Sequence, residues 1–403
     1  MKKRFRLLFA GLLAFSLLFT GCGDNGEQGG AANADGRPVV RVGFMGPLTG
    51  GNASEGSAAR NAFVMAFDQL NASGELPYYV EVVSMDDGSK AETGISAVQK
   101  LVTMENMVAI SGHWNSPVAE ATIPICKSNE IPLVIWGAIG ESLTSEANYP
   151  IVTRVCPTDR QENEKLAQYV LGDLGYKNIY IISDTTSYGQ SNTQAFQAQM
   201  EKYGANLVGI DEVPDTQNDF RAILSKVKQG NPDAIFFGGV AMGAGLVKSQ
   251  MLDAGMDDIL LFGISGICSE DYIIAAGAES AEGTFSTKPG TDPTKTEVGQ
   301  AFLAAYAEKN YDVPVGAFTP YAYDAAQVVI QAMKNCEGEI TAEQMIEKIA
   351  AVKAEGLLGE TQFDGIGQTT NPASYGLVVQ DGKWVPWEES LYATGERTLP
   401  GRN

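Results

Sequence analysis

The sequence predicts an α/β protein built as two doubly wound parallel-sheet lobes. Three observations carry that prediction. From residue 39 onward, strand-like runs alternate with helix-like runs. Runs such as "DAIFFGG" (233–239) and "ILLFGISG" (259–266) are almost continuously apolar, as in parallel strands covered on both faces. The alternation starts afresh near residue 151, so the 403-residue chain carries two such units, each of ordinary domain size.

The elements follow in order. "VVRVGFMG" (39–46) reads as a strand, and 54–73 as a helix with Ala59, Phe63, Ala66, Phe67 and Leu70 on one face. A strand at 78–87, a helix at 90–106 and a strand at 107–113 come next, then a helix at 116–129 and a strand at 131–136. The second series opens with "IVTRVCPT" (151–158) and a helix at 159–174. Strands at 178–185, 206–214, 233–239 and 259–266 then alternate with helices at 189–203, 218–229 and 243–254. After residue 283 the rhythm changes: a strand-like "GTFSTKP" (283–289), helices near 295–309, 319–335 and 341–353, and short β segments near 360–363 and 374–380. These are too few for a third domain and are expected to return and complete both sheets. The chain is then expected to cross between lobes near 157, 287 and 365, a three-segment hinge. The expected division is lobe 1 at 38–157 and 287–365, lobe 2 at 158–286 and 366–390, and a polar tail at 391–403.

The N-terminus is organised for export. Lys2, Lys3, Arg4 and Arg6 precede an apolar run from Leu7 to Thr20, shorter than the roughly 20 residues a spanning helix needs. That pattern is a signal peptide over 1–21. Gly21-Cys22 resembles the lipobox of bacterial lipoproteins, with Phe19 standing where Leu is usual, so Cys22 is the expected lipidation site. Residues 22–37 are mostly small or polar and read as a flexible tether. No later run is apolar and long enough to span a bilayer, which leaves the lipid as the expected membrane anchor. The formal net charge is −21, and loss of a leader with four basic residues and no acid deepens it. Such a chain repels phosphate backbones, so nucleic acid is not an expected partner. Cys126, Cys156, Cys268 and Cys336 are scattered without metal spacing and are expected to be buried free thiols.

Signals for enzymatic chemistry are weak. His113 is the single histidine, in "SGHWNS", and reads as a structural group. "GFMGPLTGG" (43–51) lacks the G-x-G-x-x-G spacing and reads as a tight turn; no phosphate-binding loop, metal cluster or cofactor motif is present. The strand-to-helix junctions carry more. In "GHWNSPVAEA" (112–121), Ser116-Pro117 opens a helix, and the first-turn amides that Ser caps are also an anion site. "WGAIG" (136–140) leaves backbone amides approachable, and "DTTSYGQS" (184–191) puts Tyr188 at a strand end. Ligands of open α/β sheets sit beyond the carboxyl ends of the strands, where all three junctions fall.

At these residues the sequence resembles the periplasmic leucine/isoleucine/valine-binding protein family, the type I solute-binding proteins of ABC importers. The resemblance covers nearly all of 39–385. It rests on "VGFMGPLTG", "SYGQ" (187–190), "ESAEGTFSTKP" (279–289) and "YDAAQVVIQAM" within "FTPYAYDAAQVVIQAM" (318–333), in that order and at those distances. It implies the type I periplasmic-binding-protein fold, no catalysis and no cofactor. It also implies a small-molecule ligand held as the cleft closes, and a permease and ATPase complex in the membrane as partners. Carried over residue by residue, Ser116 takes the place of the serine that holds the ligand carboxylate. Gly137 and Ala138 match backbone contacts, with Ile139 where a hydroxyl residue is usual. Tyr188 matches the second-lobe tyrosine, and Phe318 a phenylalanine lining the apolar part. Three positions depart: Glu55 replaces an aromatic, Val240 a tyrosine, and Ser265 the acid that receives an amino acid's ammonium.

A serine hydroxyl does not supply that charge, and a buried ammonium without an anion costs several kcal/mol. The expected ligand is therefore an amino acid or, in better accord with Ser265, a small carboxylate or amide with an apolar body. Glu55 is a candidate substitute acid, and Trp114 and Trp136 are candidate walls. The leading function is an exported, lipid-anchored receptor facing the periplasm or cell exterior that hands solute to an importer. The alternative is a ligand-sensing receptor domain that signals to a membrane partner, a type that normally continues into a transmembrane helix. A cleft hydrolase is disfavoured by the shortage of bases.

Overall fold

The computed structural model describes residue 33 and residues 36–401; the leader and Cys22 lie outside the described residues. The first sheet is formed by β1 (Val39–Gly46), β2 (Tyr79–Asp86), β3 (Met107–Ser111), β4 (Leu133–Ile135) and β5 (Val152–Arg154), in the order β2-β1-β3-β4-β5. All its pairings are parallel. Every residue of "MVAIS" and "LVI" is buried, which is why these runs lack polar alternation. The crossovers are α1 (Ala53–Ser73), α2 (Ala91–Leu101) and α3 (Ser116–Ser128). Gly56 lets α1 approach the preceding turn, since a Cβ there would lie 1.9 Å from the Pro47 carbonyl oxygen.

The second lobe repeats the scheme with α4 (Asp159–Ala167), β6 (Asn178–Asp184), α5 (Ser187–Tyr203), β7 (Asn206–Val213), α6 (Arg221–Gly230), β8 (Ala234–Gly238), α7 (Ala241–Asp253) and β9 (Leu260–Gly263). Short helices α8 (Glu270–Ala276) and α9 (Ala278–Ala281) lead to β10 (Phe285–Pro289). Thr158 and Gln161 form a reciprocal capping box that starts α4. The helix expected over 159–174 leaves α-geometry at Gln168 and finishes as a π-turn to Asp173.

The late segments depart from expectation. Helices α10 (Glu297–Glu308), α11 (Thr319–Lys334) and α12 (Ala342–Ala350) follow, with α11 lying along α1 and α12 against β3 in the first lobe. Among the described residues, no late strand joins the first sheet. β13 (Ser374–Gln380) and β14 (Lys383–Pro386) join the second, whose order is β14-β13-β10-β9-β8-β6-β7. β10 runs parallel to β9, but β13 pairs antiparallel with both β10 and β14, so this sheet has an antiparallel edge. The remaining strands, β11 (Ala354–Gly356) and β12 (Gly359–Thr361), form a separate hairpin held under α11, where the Asp324 carboxylate accepts the Leu357 and Leu358 amides at 2.7 and 3.1 Å.

Two boundaries shift accordingly. All of β10 lies in the second sheet, so the chain leaves that lobe after Pro289, not near 287. Gln368 still bridges to Arg154 of the first sheet, so the final return falls between there and Ser374. The polar tail is also partly folded in: Tyr392 and Leu399 are buried, and the Tyr176 hydroxyl donates to the Pro400 carbonyl at 2.5 Å.

One side chain ties this hinge together. The Arg154 guanidinium is fully buried at the end of β5. It donates to Gln368 Oε1 (2.6 Å), to the Gly140 and Ala138 carbonyls (2.6 and 3.2 Å) and to Thr144 Oγ1 (2.9 Å). Burial pushes its pKa down, and the surrounding acids, with Cys156, push it back. Arginine nevertheless keeps its charge, so neutral oxygens solvate a buried cation here. Arg154→Ala orphans several of these acceptors, and at 1–3 kcal/mol each the expected loss is about 3 kcal/mol or more. Urea unfolding checks this; a loss under about 1 kcal/mol would contradict the role given to Arg154.

Candidate functional site

The carboxyl ends of both parallel sheets face one crevice, and the residues just past them line a pocket. Trp114, Asn115, Gly137, Ile139 and Phe318 form the first-lobe wall; Tyr188, Val240, Ser265 and Gly266 form the second. The two walls lie close together, leaving a cavity of only about 10 Å³ between them. It widens outward into a recess bordered by Lys90, Glu92, Asp184 and Asp215, which Asn115, Tyr188 and Val240 also line. The lobes touch across the mouth, where Ser54 Oγ donates to Asp271 Oδ1 at 3.0 Å.

Each wall is positioned from below. The Trp114 ring meets Phe318 edge-on, with centroids 6.5 Å apart. Gly137 permits this packing, because a Cβ there would lie 2.8 Å from the indole. The 137–140 loop is pinned by its Gly137 and Ala138 amides, which donate to the His113 carbonyl, and by Arg154 on its carbonyls. Among the described residues, the Ile139 amide donates to no protein group. The His113 ring is spent on structure: Nδ1 lies 2.9 Å from Asp87 Oδ2 and Nε2 lies 2.9 Å from Thr122 Oγ1.

The pocket's polar groups are few and unpartnered. The Tyr188 hydroxyl, Ser265 Oγ and Asn115 Oδ1 are buried and bond to nothing in the protein. No charged side chain is among the lining residues. Buried polar atoms are ordinarily satisfied by protein groups or by ordered water.

Of the residues singled out from sequence, Trp114, Gly137, Tyr188, Ser265 and Phe318 come together here. Ser116 sits one layer back, its Oγ accepting the Gly140 amide at 3.1 Å, and Ala138 faces Arg154 with its carbonyl. Glu55 does not serve as the substitute acid: its oxygens accept the Phe318 and Ala317 amides at 2.7 and 3.0 Å, anchoring the turn before α11. It borders a different interlobe recess, and burial pushes its pKa up to about 6. Trp136 is not a wall either. It is fully buried, stacks on Phe44 and donates Nε1–H to the Met45 carbonyl. Asn115 and Gly266 were not singled out from sequence, although each adjoins a residue that was; Ile139 and Val240 were noted only as departures.

Two facing α/β lobes with a small polar-tipped pocket between them are the architecture of proteins that bind a solute between two domains. A family model described as periplasmic binding protein matches residues 39–383, and the chain belongs to that family. Among curated proteins, it is 28% identical over 360 residues to Leu/Ile/Val-binding protein homolog 3 of Brucella melitensis, covering 89% of this chain and 95% of the relative. Its fold matches that of the branched-chain amino acid transporter substrate-binding protein LivJ from Streptococcus pneumoniae, solved with isoleucine. The TM-score is 0.79 at 24% identity, covering 86% of this chain and 97% of that one. It equally matches a Rhodopseudomonas palustris solute-binding protein solved with 4-hydroxybenzoate, with TM-score 0.76 at 22% identity and coverage of 86% and 95%.

Proposed function

We propose that this protein is the exported solute-binding component of an ABC importer of the branched-chain amino acid type. It takes a small carboxylate, or an amide, with an apolar body. The carrying observation is the absence of any charged side chain from the pocket lining, with Ser265 at the end of β9. A zwitterion would set its ammonium against the Ser265 and Tyr188 hydroxyls with no carboxylate among the residues lining the pocket, at a cost of several kcal/mol. A carboxylate has donors available in the first turn of α3 and at the Ile139 amide, within the positive end of a helix dipole. Trp114, Ile139, Val240 and Phe318 enclose the apolar body. Fold relatives solved with isoleucine and with 4-hydroxybenzoate support a pocket in which the carboxylate is the shared element.

The reading includes anchoring through lipid on Cys22, with a membrane permease and ATPase receiving the solute. Its support is the basic-apolar-Gly-Cys pattern at the N-terminus and the tether that follows. Among the described residues, no helix is long and apolar enough to cross a membrane. Expressed in a bacterial host, Cys22→Ser is expected to move the protein from the membrane fraction to the soluble exported fraction. Unchanged fractionation would contradict the anchor.

Thermal-shift assays test the ligand class, using leucine, isoleucine and valine beside their deaminated acids, benzoate and simple amides. At a hundredfold excess over Kd, a true ligand stabilises by about 2.7 kcal/mol. The deaminated acids, benzoate or the amides are expected to raise Tm more than the amino acids do. A panel in which only leucine, isoleucine and valine act would overturn the reading.

A further inference from the structure

Behind the second-lobe wall, where α4 and α5 meet the turn after β9, lies a seam of buried polar side chains. At its centre is Glu162, which has no exposed surface. Its Oε2 accepts the Ser265 amide at 3.1 Å, and its Oε1 has no partner. Ser265 and Tyr188, both lining the pocket, present buried hydroxyls that are also unpartnered, as is Ser187 Oγ beside them. No lysine, arginine or histidine among the described residues pairs with Glu162. The groups that bear on it are Asp159 one turn earlier on α4, Cys156 before that helix, Tyr188 on α5, Ser265 and Cys268 after β9, and Tyr321 on α11. Asp159 is itself bonded to the Ser191 hydroxyl and the Arg160 amide.

We propose that Glu162 is the specificity-determining acid of the cleft. Kept neutral, it makes Glu162, Ser265 and Tyr188 a set of hydrogen-bond donors that selects a ligand oxygen at the second-lobe end and turns an ammonium away. The inference rests on the carboxylate reading above and adds the chemistry of the ligand's other end.

A carboxyl that accepts an amide on one oxygen carries its proton on the other, and that proton needs an acceptor. A carboxylate here would be a buried charge with no cation and with Asp159 nearby, which is the arrangement that favours protonation. Burial pushes the Glu162 pKa up to about 8, and the Asp159 charge adds to this, against hydrogen bonding from Ser265. The Ser265 and Tyr188 hydroxyls line the pocket, and the Glu162 carboxyl lies directly behind Ser265. A ligand hydroxyl or carbonyl oxygen satisfies them. An ammonium brings more donors and binds well only if Glu162 first releases its proton. The sign follows: below about pH 8 the acid is protonated and the donor set is intact, and above it the ionised form repels an oxygen-bearing anion.

The test is isothermal titration calorimetry from about pH 6 to 9, with three near-isosteric probes: leucine, 2-hydroxy-4-methylpentanoate and 4-methylpentanoate. Benzoate and 4-hydroxybenzoate form an aromatic pair. For the wild type near pH 7, each hydroxy acid is expected to bind about tenfold or more tighter than its counterpart without the oxygen, and leucine weakest of its three. Affinity for the hydroxy acids is expected to fall above about pH 8, approaching tenfold per pH unit. Glu162→Gln keeps a donor and removes the titration, so its profile is expected to be flat with binding retained. Ser265→Ala is expected to shrink the hydroxyl preference and to move the fall in affinity to higher pH, because the Ser265 side chain lowers the Glu162 pKa. Thermal unfolding of each variant confirms that it folds. Carboxylates that bind with no hydroxyl preference, or a wild-type profile that matches Glu162→Gln, would overturn the role of Glu162 while leaving the carboxylate reading standing. If none of the carboxylates binds at any pH, the carboxylate reading fails, and this inference with it.

Discussion

The buried guanidinium of Arg154 is the contact on which the rest of the architecture depends. It sits where the first sheet ends and the chain turns toward the second lobe, and it reaches Gln368 on a later crossing segment. The same group gathers the carbonyls of Ala138 and Gly140, which fixes the loop that supplies Gly137 and Ile139 to the pocket. Hinge geometry and first-lobe wall are thus set by one cation. It is held by neutral oxygens, with no carboxylate hydrogen-bonded to it. In hinged two-domain proteins a few loop or element-terminal residues absorb the change on closure.

In the proposed site the two walls differ. The first-lobe wall is mostly apolar, with backbone amides at the start of α3 and at Ile139 nearby. The second-lobe wall carries the side-chain hydroxyls, and these are the atoms left without partners. A site of this kind draws its specificity from the cost of an unsatisfied buried group more than from added attraction. Glu55 shows the same economy in reverse: an acid placed near the cleft is committed to two backbone amides and is withdrawn from ligand chemistry.

Much of this was legible in the sequence because parallel strands buried on both faces leave an apolar run with no alternation. β3, β4, β8 and β9 were visible for that reason. β12 showed only as a short segment near 360–363, and β11 and β14 were not visible, since runs of three or four residues with Lys, Glu and Gly have no periodicity to read. The antiparallel edge was hidden as well, because pairing direction depends on where β13 lands and not on its composition. The pocket residues at strand ends were readable from the general rule for open α/β sheets. Glu162 was not: in "DRQENEKLA" it is one polar residue among many, and only the packing of α4 against α5 and the β9 turn buries it. Trp136 was misplaced because neighbouring strand-end positions alternate between cleft and core, and spacing alone does not tell which face a side chain takes. Glu55, in the first turn of α1, was misplaced because only the packing of the turn before α11 against it commits its oxygens to backbone amides.

The central claim is that an unaltered small carboxylate, with no ammonium, fills the space between the lobes. Native mass spectrometry of the protein purified under gentle conditions tests it most directly, by weighing and then releasing whatever travels with it. The account expects a single bound monocarboxylate with an apolar body, recovered chemically intact. Recovery of leucine, isoleucine or valine, or of a converted product, would contradict it.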